Sequence, residues 1–297
     1  MDAPAPEPFR IADDVTGRPV AVIGAGTLGR RVALMFATQG GEARLYDPSD
    51  VQRADALAYV GARLPKVVAR TAGATAGTIT VHADLDDAVA DAWLVVEAVP
   101  ERLDLKRQVL AEIDAAARPD AIVASNSSSY ATSAFADAVD RPERLLNMHF
   151  YMPPQASAVE LMSCGVTDPA VIPLLMERLP AFGLVPFEVL AESQGFIYNR
   201  IWAAIKREAL AVVEEGVSTP EDVDRIFTLT LGAPFGPFRM MDAVGLDVVL
   251  DIEENYAAQR EGIPEGPRTL LRRHLADGRL GQKSGRGFYD DYGTPAS

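Results

Sequence analysis

Val20-Ala21-Val22-Ile23-Gly24-Ala25-Gly26-Thr27-Leu28-Gly29 sets four apolar residues against a glycine-rich hexapeptide, and a stretch with helical spacing continues from there to Thr38. An apolar strand, a Gly-x-Gly-x-x-Gly turn and a helix, in that order, open a dinucleotide-binding unit. The three glycines serve different ends. Gly24 permits the tight turn, Gly26 lets a pyrophosphate approach the backbone, and Gly29 lets the helix pack closely on the strand. Thr27 and Leu28 fall at the helix start, where free N–H groups and a partial positive charge suit a phosphate. Gly40-Gly41 ends the helix, and 43–46 reads as a second buried strand closed by Asp47, 23 residues after Gly24. A carboxylate there accepts hydrogen bonds from both adenosine ribose hydroxyls and repels a 2′-phosphate, so NAD is the expected cofactor.

The alternation continues outward. Helices are expected over 50–70, 84–90 and 103–117, and strands over 78–81, 93–99, 121–124 and 145–150. The strand segments are apolar without polar alternation, as in a parallel sheet covered on both faces. Beyond Pro186 the pattern becomes helical, with expected helices at 196–215, 219–231, 238–260 and 266–277. The expected architecture is an α/β Rossmann-type domain with a mainly parallel sheet over 18–190, then an all-α domain over 191–297. Residues 1–17 begin Pro-rich, with neither the basic start nor the apolar stretch of a signal peptide, and are expected to form a flexible tail.

Forty-eight per cent of the 297 residues are hydrophobic, enough for two cores. The formal net charge of -14 argues against nucleic-acid or anionic-membrane partners, although a local basic group can still hold a small anion. No run approaches the roughly 18 apolar residues of a membrane helix. The single cysteine, Cys164, excludes an intrachain disulfide and fits a reducing, cytoplasmic setting. It has no neighbouring His or Cys, so it reads as a packing residue and no metal site is expected.

Ligands of such sheets bind beyond the carboxyl ends of the strands. Glu97 ends the strand 93–99 and should face the cofactor. Of the three histidines, His82 reads as a strand-end residue and His274 as a solvated helix face, while His149 closes the apolar strand 145–150 at the ligand edge. A dehydrogenase needs a group that takes the hydroxyl proton as the carbinol carbon is oxidised, and imidazole titrates near the working pH. A carboxylate, Glu160 or another, would orient the ring and stabilise its charge; a packed structural histidine is the alternative. Ser125-Asn126-Ser127-Ser128-Ser129 follows the strand 121–124, either to bind a substrate oxygen or to cap the next helix.

Seven motifs in one order resemble the 3-hydroxyacyl-CoA dehydrogenase family: GAGTLG at 24–29, VVEAVPERLDLK at 95–106, SNSSS at 125–129, HFYMPP at 149–154, SQGFIYNRI at 193–201, GAPFGPFRMMDAVGLD at 232–247 and GQKSGRGFY at 281–289. The resemblance implies interconversion of an (S)-3-hydroxyacyl thioester and its 3-ketoacyl form, with NAD and a short-chain acyl-CoA. It implies His149 as base, Glu160 as its partner, Ser128 and Asn199 at the substrate, and Asp47, Glu97 and Lys106 at the cofactor, with Asn126 assigned there too. The family dimerises through its helical domain, so a homodimer is expected.

The chain departs from the family pattern in three places. Met152-Pro153 stands where Asn-Pro is usual. His149 and Glu160 lie 11 residues apart, one fewer than is common, which implies a rebuilt loop. The segment between Asp47 and Glu97 is shortened, with Arg53, Arg63, Lys66 and Arg70 as its basic residues in place of the lysines that help hold CoA. The acyl carrier stays open: CoA, a carrier protein, or a free β-hydroxy acid such as gulonate or carnitine. Less favoured are a structural role, argued against by His149, Ser128 and Asn199, and an imine-reducing enzyme on the same scaffold.

Overall fold

The computed structural model describes residues 9–12 and 14–293. The chain divides into two compact units, 1–197 and 198–297, so the division falls seven residues beyond the expected boundary at 190.

The first unit is built on an eight-stranded sheet in the order β3-β2-β1-β4-β5-β6-β7-β8. Its strands are β1 (Val20–Ile23), β2 (Glu42–Tyr46), β3 (Thr78–His82), β4 (Leu94–Glu97), β5 (Ile122–Ser125), β6 (Leu145–Phe150), β7 (Ala158–Ser163) and β8 (Val185–Val189). The first six run parallel. β7 is antiparallel to β6, and β8 is parallel to β7. Because side chains alternate across a strand, β1 feeds two cores. Val20 and Val22 pack with α1 (Gly29–Phe36) and α2 (Asp50–Val68) on one face. Ala21 and Ile23 pack with α3 (Leu85–Val89) and α4 (Leu103–Ala116) on the other. α5 (Val171–Arg178) joins the first layer.

β1 lies between β2 and β4. The connections leaving β1 therefore turn to opposite sides, creating the switch point at which open α/β sheets hold ligands. Three elements, β7, β8 and α5, are additional to those expected from sequence. β8 contains Pro186 and lies at the sheet edge, the place where a strand tolerates proline.

Residues 1–8 and 13 of the expected flexible tail lie outside the described residues. Its remainder is anchored. Phe9 is buried in the first core, Ile11 and Val15 pack against that core, and the Phe9 amide donates to Glu143 at 3.3 Å. The apolar side chains in this stretch hold it against the domain.

The second unit holds α6 (Tyr198–Glu214), α7 (Pro220–Leu231), α8 (Pro237–Val244), α9 (Leu246–Gln259) and α10 (Gly266–Ala276) around Leu210, Phe238, Met241, Val249, Leu271 and Phe288. The single helix expected over 238–260 is two. Gly245, at φ +107°, takes a backbone conformation that side-chain-bearing residues avoid, and so breaks it. Two buried aspartates tie the unit together. Asp224 accepts from the amides of Phe238 and Arg239 at the start of α8. Asp242 accepts from the amides of Phe288 and Tyr289 and from the Tyr292 hydroxyl. Motifs 232–247 and 281–289 thus serve as each other's frame. His274 is not on a solvated face: it is half-buried against Phe288, ring centroids 4.4 Å apart, and burial, reinforced by Arg279 and Arg273, lowers its pKa.

Candidate active site

The glycine loop has the tight packing its sequence implies. Gly24 sits at φ +107°, and a Cβ there would lie 2.7 Å from the Ala98 carbonyl oxygen. A Cβ on Gly29 would come within 1.8 Å of the Gly24 carbonyl oxygen, so no larger residue fits between helix and strand. Gly26 is different: a Cβ there would meet no atom within 4 Å, which leaves an open approach to the loop. The first turn of α1 has no side-chain cap, and the N–H groups of Thr27, Leu28 and Gly29 have no acceptor among the described residues, so they are available to an anion. Asp47 closes β2 and braces this loop, its Oδ2 accepting from Ala25 N–H and its Oδ1 from Ser49 N–H, both at 2.9 Å. These residues fit a bound dinucleotide.

Glu97 lies deeper than the strand-edge position expected, paired with Lys106 of α4. Both side chains are buried, with Lys106 Nζ 2.8 Å from Glu97 Oε1 and 3.2 Å from the Val99 carbonyl oxygen. The Ser125 hydroxyl donates to Glu97 Oε2 at 2.5 Å. A buried carboxylate is tolerated only when paired and hydrogen-bonded in this way. The pair braces the ends of β4 and β5 from behind. Glu101, which no motif spacing marks, accepts from the Ser127 hydroxyl and the Ser129 amide and lies 3.3 Å from Lys106. Burial opposes its charge, but Lys106 and those donors outweigh burial and hold its pKa below the usual carboxylate value.

Glu101 thereby shapes the serine turn. Ser127 is buried, while Ser128 is exposed and its hydroxyl bonds to no other group among the described residues. The Asn126 side chain accepts from the Phe150 amide at 2.9 Å, fixing the end of β6 beside His149.

His149 is 5% exposed and stands directly opposite Glu160 in the β6–β7 ladder. Its Nδ1 lies 3.3 Å from Glu160 Oε2. The shortened spacing is therefore accommodated by a hairpin, and β7 delivers the carboxylate. Tyr151 donates to the same Oε2 at 2.5 Å, and the Ile197 amide donates to Oε1 at 2.9 Å. An ionised carboxylate only accepts, so whenever the ring is neutral this bond puts its hydrogen on Nδ1 and leaves the lone pair on Nε2.

Phe196 stacks on the imidazole with centroids 4.8 Å apart and planes 14° from parallel, and Tyr151 meets the ring edge-on at 4.7 Å. Phe196 holds φ +52°, an uncommon left-handed setting for a bulky residue that costs about 1–3 kcal/mol and concentrates at functional sites. Its amide and carbonyl both bond to Ser193. Tyr151 and Phe196 lie inside the motifs at 149–154 and 193–201, yet nothing in their spacing reveals the contacts. Met152 is 43% exposed in the loop after β6. Asn199 lies in the first turn of α6.

A glycine-loop dinucleotide site on a switch-point sheet, carrying a buried His–Glu pair, defines an NAD-dependent oxidoreductase. Two family models match: the 3-hydroxyacyl-CoA dehydrogenase NAD binding domain over residues 19–193 and the 3-hydroxyacyl-CoA dehydrogenase C-terminal domain over 195–291. The chain belongs to the 3-hydroxyacyl-CoA dehydrogenase family. It is 35% identical over 283 residues to a 3-hydroxybutyryl-CoA dehydrogenase of Mycobacterium tuberculosis, covering 91% of this chain and 97% of that one. It is 31% identical to a 5-formyl-3-hydroxy-2-methylpyridine 4-carboxylate 5-dehydrogenase of Mesorhizobium japonicum, covering 92% and 90%. The crystal structure of (S)-3-hydroxybutyryl-CoA dehydrogenase from Ralstonia eutropha matches with a TM-score of 0.82 at 30% identity, covering 95% of this chain and 100% of that one.

Proposed function

We propose that the protein interconverts a short-chain (S)-3-hydroxyacyl-CoA and its 3-ketoacyl form. The pairing of His149 with Glu160, with Nε2 left to face a substrate, carries this reading. In oxidation, Nε2 takes the substrate hydroxyl proton while the positive ring is stabilised through Nδ1 by Glu160. NAD, when bound, accepts the carbon's hydrogen with its electron pair. In reduction, the protonated ring returns the proton to the forming alcohol. Ser128, whose hydroxyl is open, and Asn199 are assigned to the substrate oxygens. Stacking on Phe196 and the Tyr151 bond limit rotation of the base and its partner. Asp47, Gly24, Gly26, Thr27, Leu28, Gly29 and Asn126 form the cofactor side of the site, with Glu97 and Lys106 as its buried support.

A second reading, oxidation of a free β-hydroxy acid, is favoured by one relative. The 31% identical M. japonicum enzyme is named for a substrate that carries a carboxylate. We assign the protein to the cytoplasm and to a homodimer formed through the helical unit. Ile226, Leu229, Leu231 and Phe235 on and after α7 are each more than 60% exposed, an apolar stripe that a second copy would cover.

NADH oxidation followed at 340 nm with acetoacetyl-CoA and, separately, with acetoacetate tests the reading. Turnover of the thioester alone is the expected result. Turnover of the free acid alone would move the assignment to the second reading.

A further inference from the structure

Arg30 and Arg31 on α1 and Arg63 on α2 surround one ring, that of Tyr59, with guanidinium carbons 4.8, 5.3 and 4.0 Å from its centroid. Three cations around one ring repel each other, and a protein of net charge -14 has acids to spare for them. None of the three forms a salt bridge among the described residues, whereas Arg53 on the same helix does, with Asp50. The Nε atoms of Arg30 and Arg31 and the Tyr59 hydroxyl are buried without a hydrogen-bond partner. Buried donors left open in this way destabilise the fold unless something satisfies them.

The cluster also touches the loop that follows the base. Arg31 Nη1 donates to the Pro153 carbonyl oxygen at 3.1 Å and to Gln155 Oε1 at 2.9 Å. That uses Nη1 and leaves Nη2 without a partner among the described residues, a donor that a carboxylate oxygen can accept from. Of the basic residues the sequence singled out near α2, Arg63 joins this group, while Lys66 and Arg70 are exposed and do not lie over the Tyr59 ring.

We propose that Arg30, Arg31 and Arg63 form an anion subsite that holds a carboxylate carried by the substrate. That carboxylate is either the acid group of a free β-keto or β-hydroxy acid or the terminal carboxylate of a dicarboxylic acyl thioester. The proposal rests on the dehydrogenase reading only for placing substrate beside the 151–157 loop. Its test measures binding and needs no turnover, so either can fail alone.

The full chain loaded with NAD, which cannot reduce a keto probe, is titrated by calorimetry at low salt with two matched pairs, acetoacetate against methyl acetoacetate and glutaryl-CoA against valeryl-CoA. The carboxylate member of at least one pair should bind about ten- to a hundredfold more tightly. The pair that shows the advantage identifies the source of the carboxylate. Arg31→Met and Arg63→Met should each erase it, and Lys66→Met should keep it. Arg63 is exposed and makes no hydrogen bond among the described residues, so its variant should fold even if that of Arg31 does not.

Equal affinity within both pairs, or no binding of any probe, overturns the proposal. Weaker valeryl-CoA binding in the variants assigns the cluster to the phosphates of CoA and overturns it too. So does a parallel loss of NADH affinity, which assigns the arginines to the cofactor.

Discussion

At the scale of the residue, the proposed chemistry centres on Glu160 Oε2, where His149 and Tyr151 meet. His149→Ala is expected to lower turnover by about 100- to 10,000-fold, the range for a general acid–base group. NADH affinity measured by fluorescence titration should stay near the wild-type value; a comparable loss there would remove His149 from the role of base. Tyr151→Phe deletes one bond that orients the partner carboxylate and should cut kcat by about two- to tenfold, the worth of a hydrogen bond of about 0.5–1.5 kcal/mol. An unchanged kcat would make Tyr151 packing only. His149 was legible because it ends an apolar strand, a position readable without any fold. Glu160 could be paired with it from the residues only as one carboxylate among several. The roles of Tyr151, Phe196 and Glu101 could not be read, since a hydrogen bond between two strands or a stacked ring 47 residues away leaves no local pattern.

At the scale of the element, the βαβ order and the two-faced burial were legible because parallel strands buried on both sides are apolar throughout. β7 was not, since Ala158–Ser163 is a short segment after a proline-rich loop, with Glu160 interrupting its apolar run. β8 was not, since Pro186 argued against a strand and three of its five residues are exposed at the edge. The junction between α4 and β6 is held by Arg144, whose buried guanidinium bonds Asp114 Oδ1 at 2.6 Å and the carbonyls of Asp114 and Arg118. Burial is the largest influence on Arg144 and lowers its pKa, with Asp114 opposing that. Removing one partner strands a buried charge, so Asp114→Ala should destabilise the protein by about 3–5 kcal/mol. Urea unfolding followed by circular dichroism checks this, and a change below about 1 kcal/mol would show that water replaces the carboxylate.

At the scale of the molecule, the division into an α/β unit and a helical unit was legible from the change of period after Pro186, although the boundary came later. The helical unit carries a buried charge that the catalytic reading does not use. Lys206 on α6 is 4% exposed, and burial lowers its pKa, with Glu253 opposing and Arg207 adding to the shift. A folded pKa below the unfolded one means that the cost of burying the ammonium is present at neutral pH. That cost fades as pH rises through the depressed value toward 10.5. Lys206→Met removes the cost while Arg207 still pairs with Glu253 at 2.8 Å. The variant should be more stable at pH 7 by about 1–4 kcal/mol and should lose the part of the stability gain that wild type shows between pH 7 and 10. Thermal melts across that range decide it, and a lower melting temperature at pH 7 would mean that Lys206 is a net support for Glu253.

His149 and Glu160 share a rung of the β6–β7 ladder, so their spacing is held by strand register and does not depend on which side chains residues 152–157 carry. For protein engineering this makes the segment an exchangeable cassette. Its composition can be varied at constant length to admit new substrates while His149 and Glu160 keep their spacing, as long as the cassette still offers Arg31 the carbonyl and amide oxygens it grips.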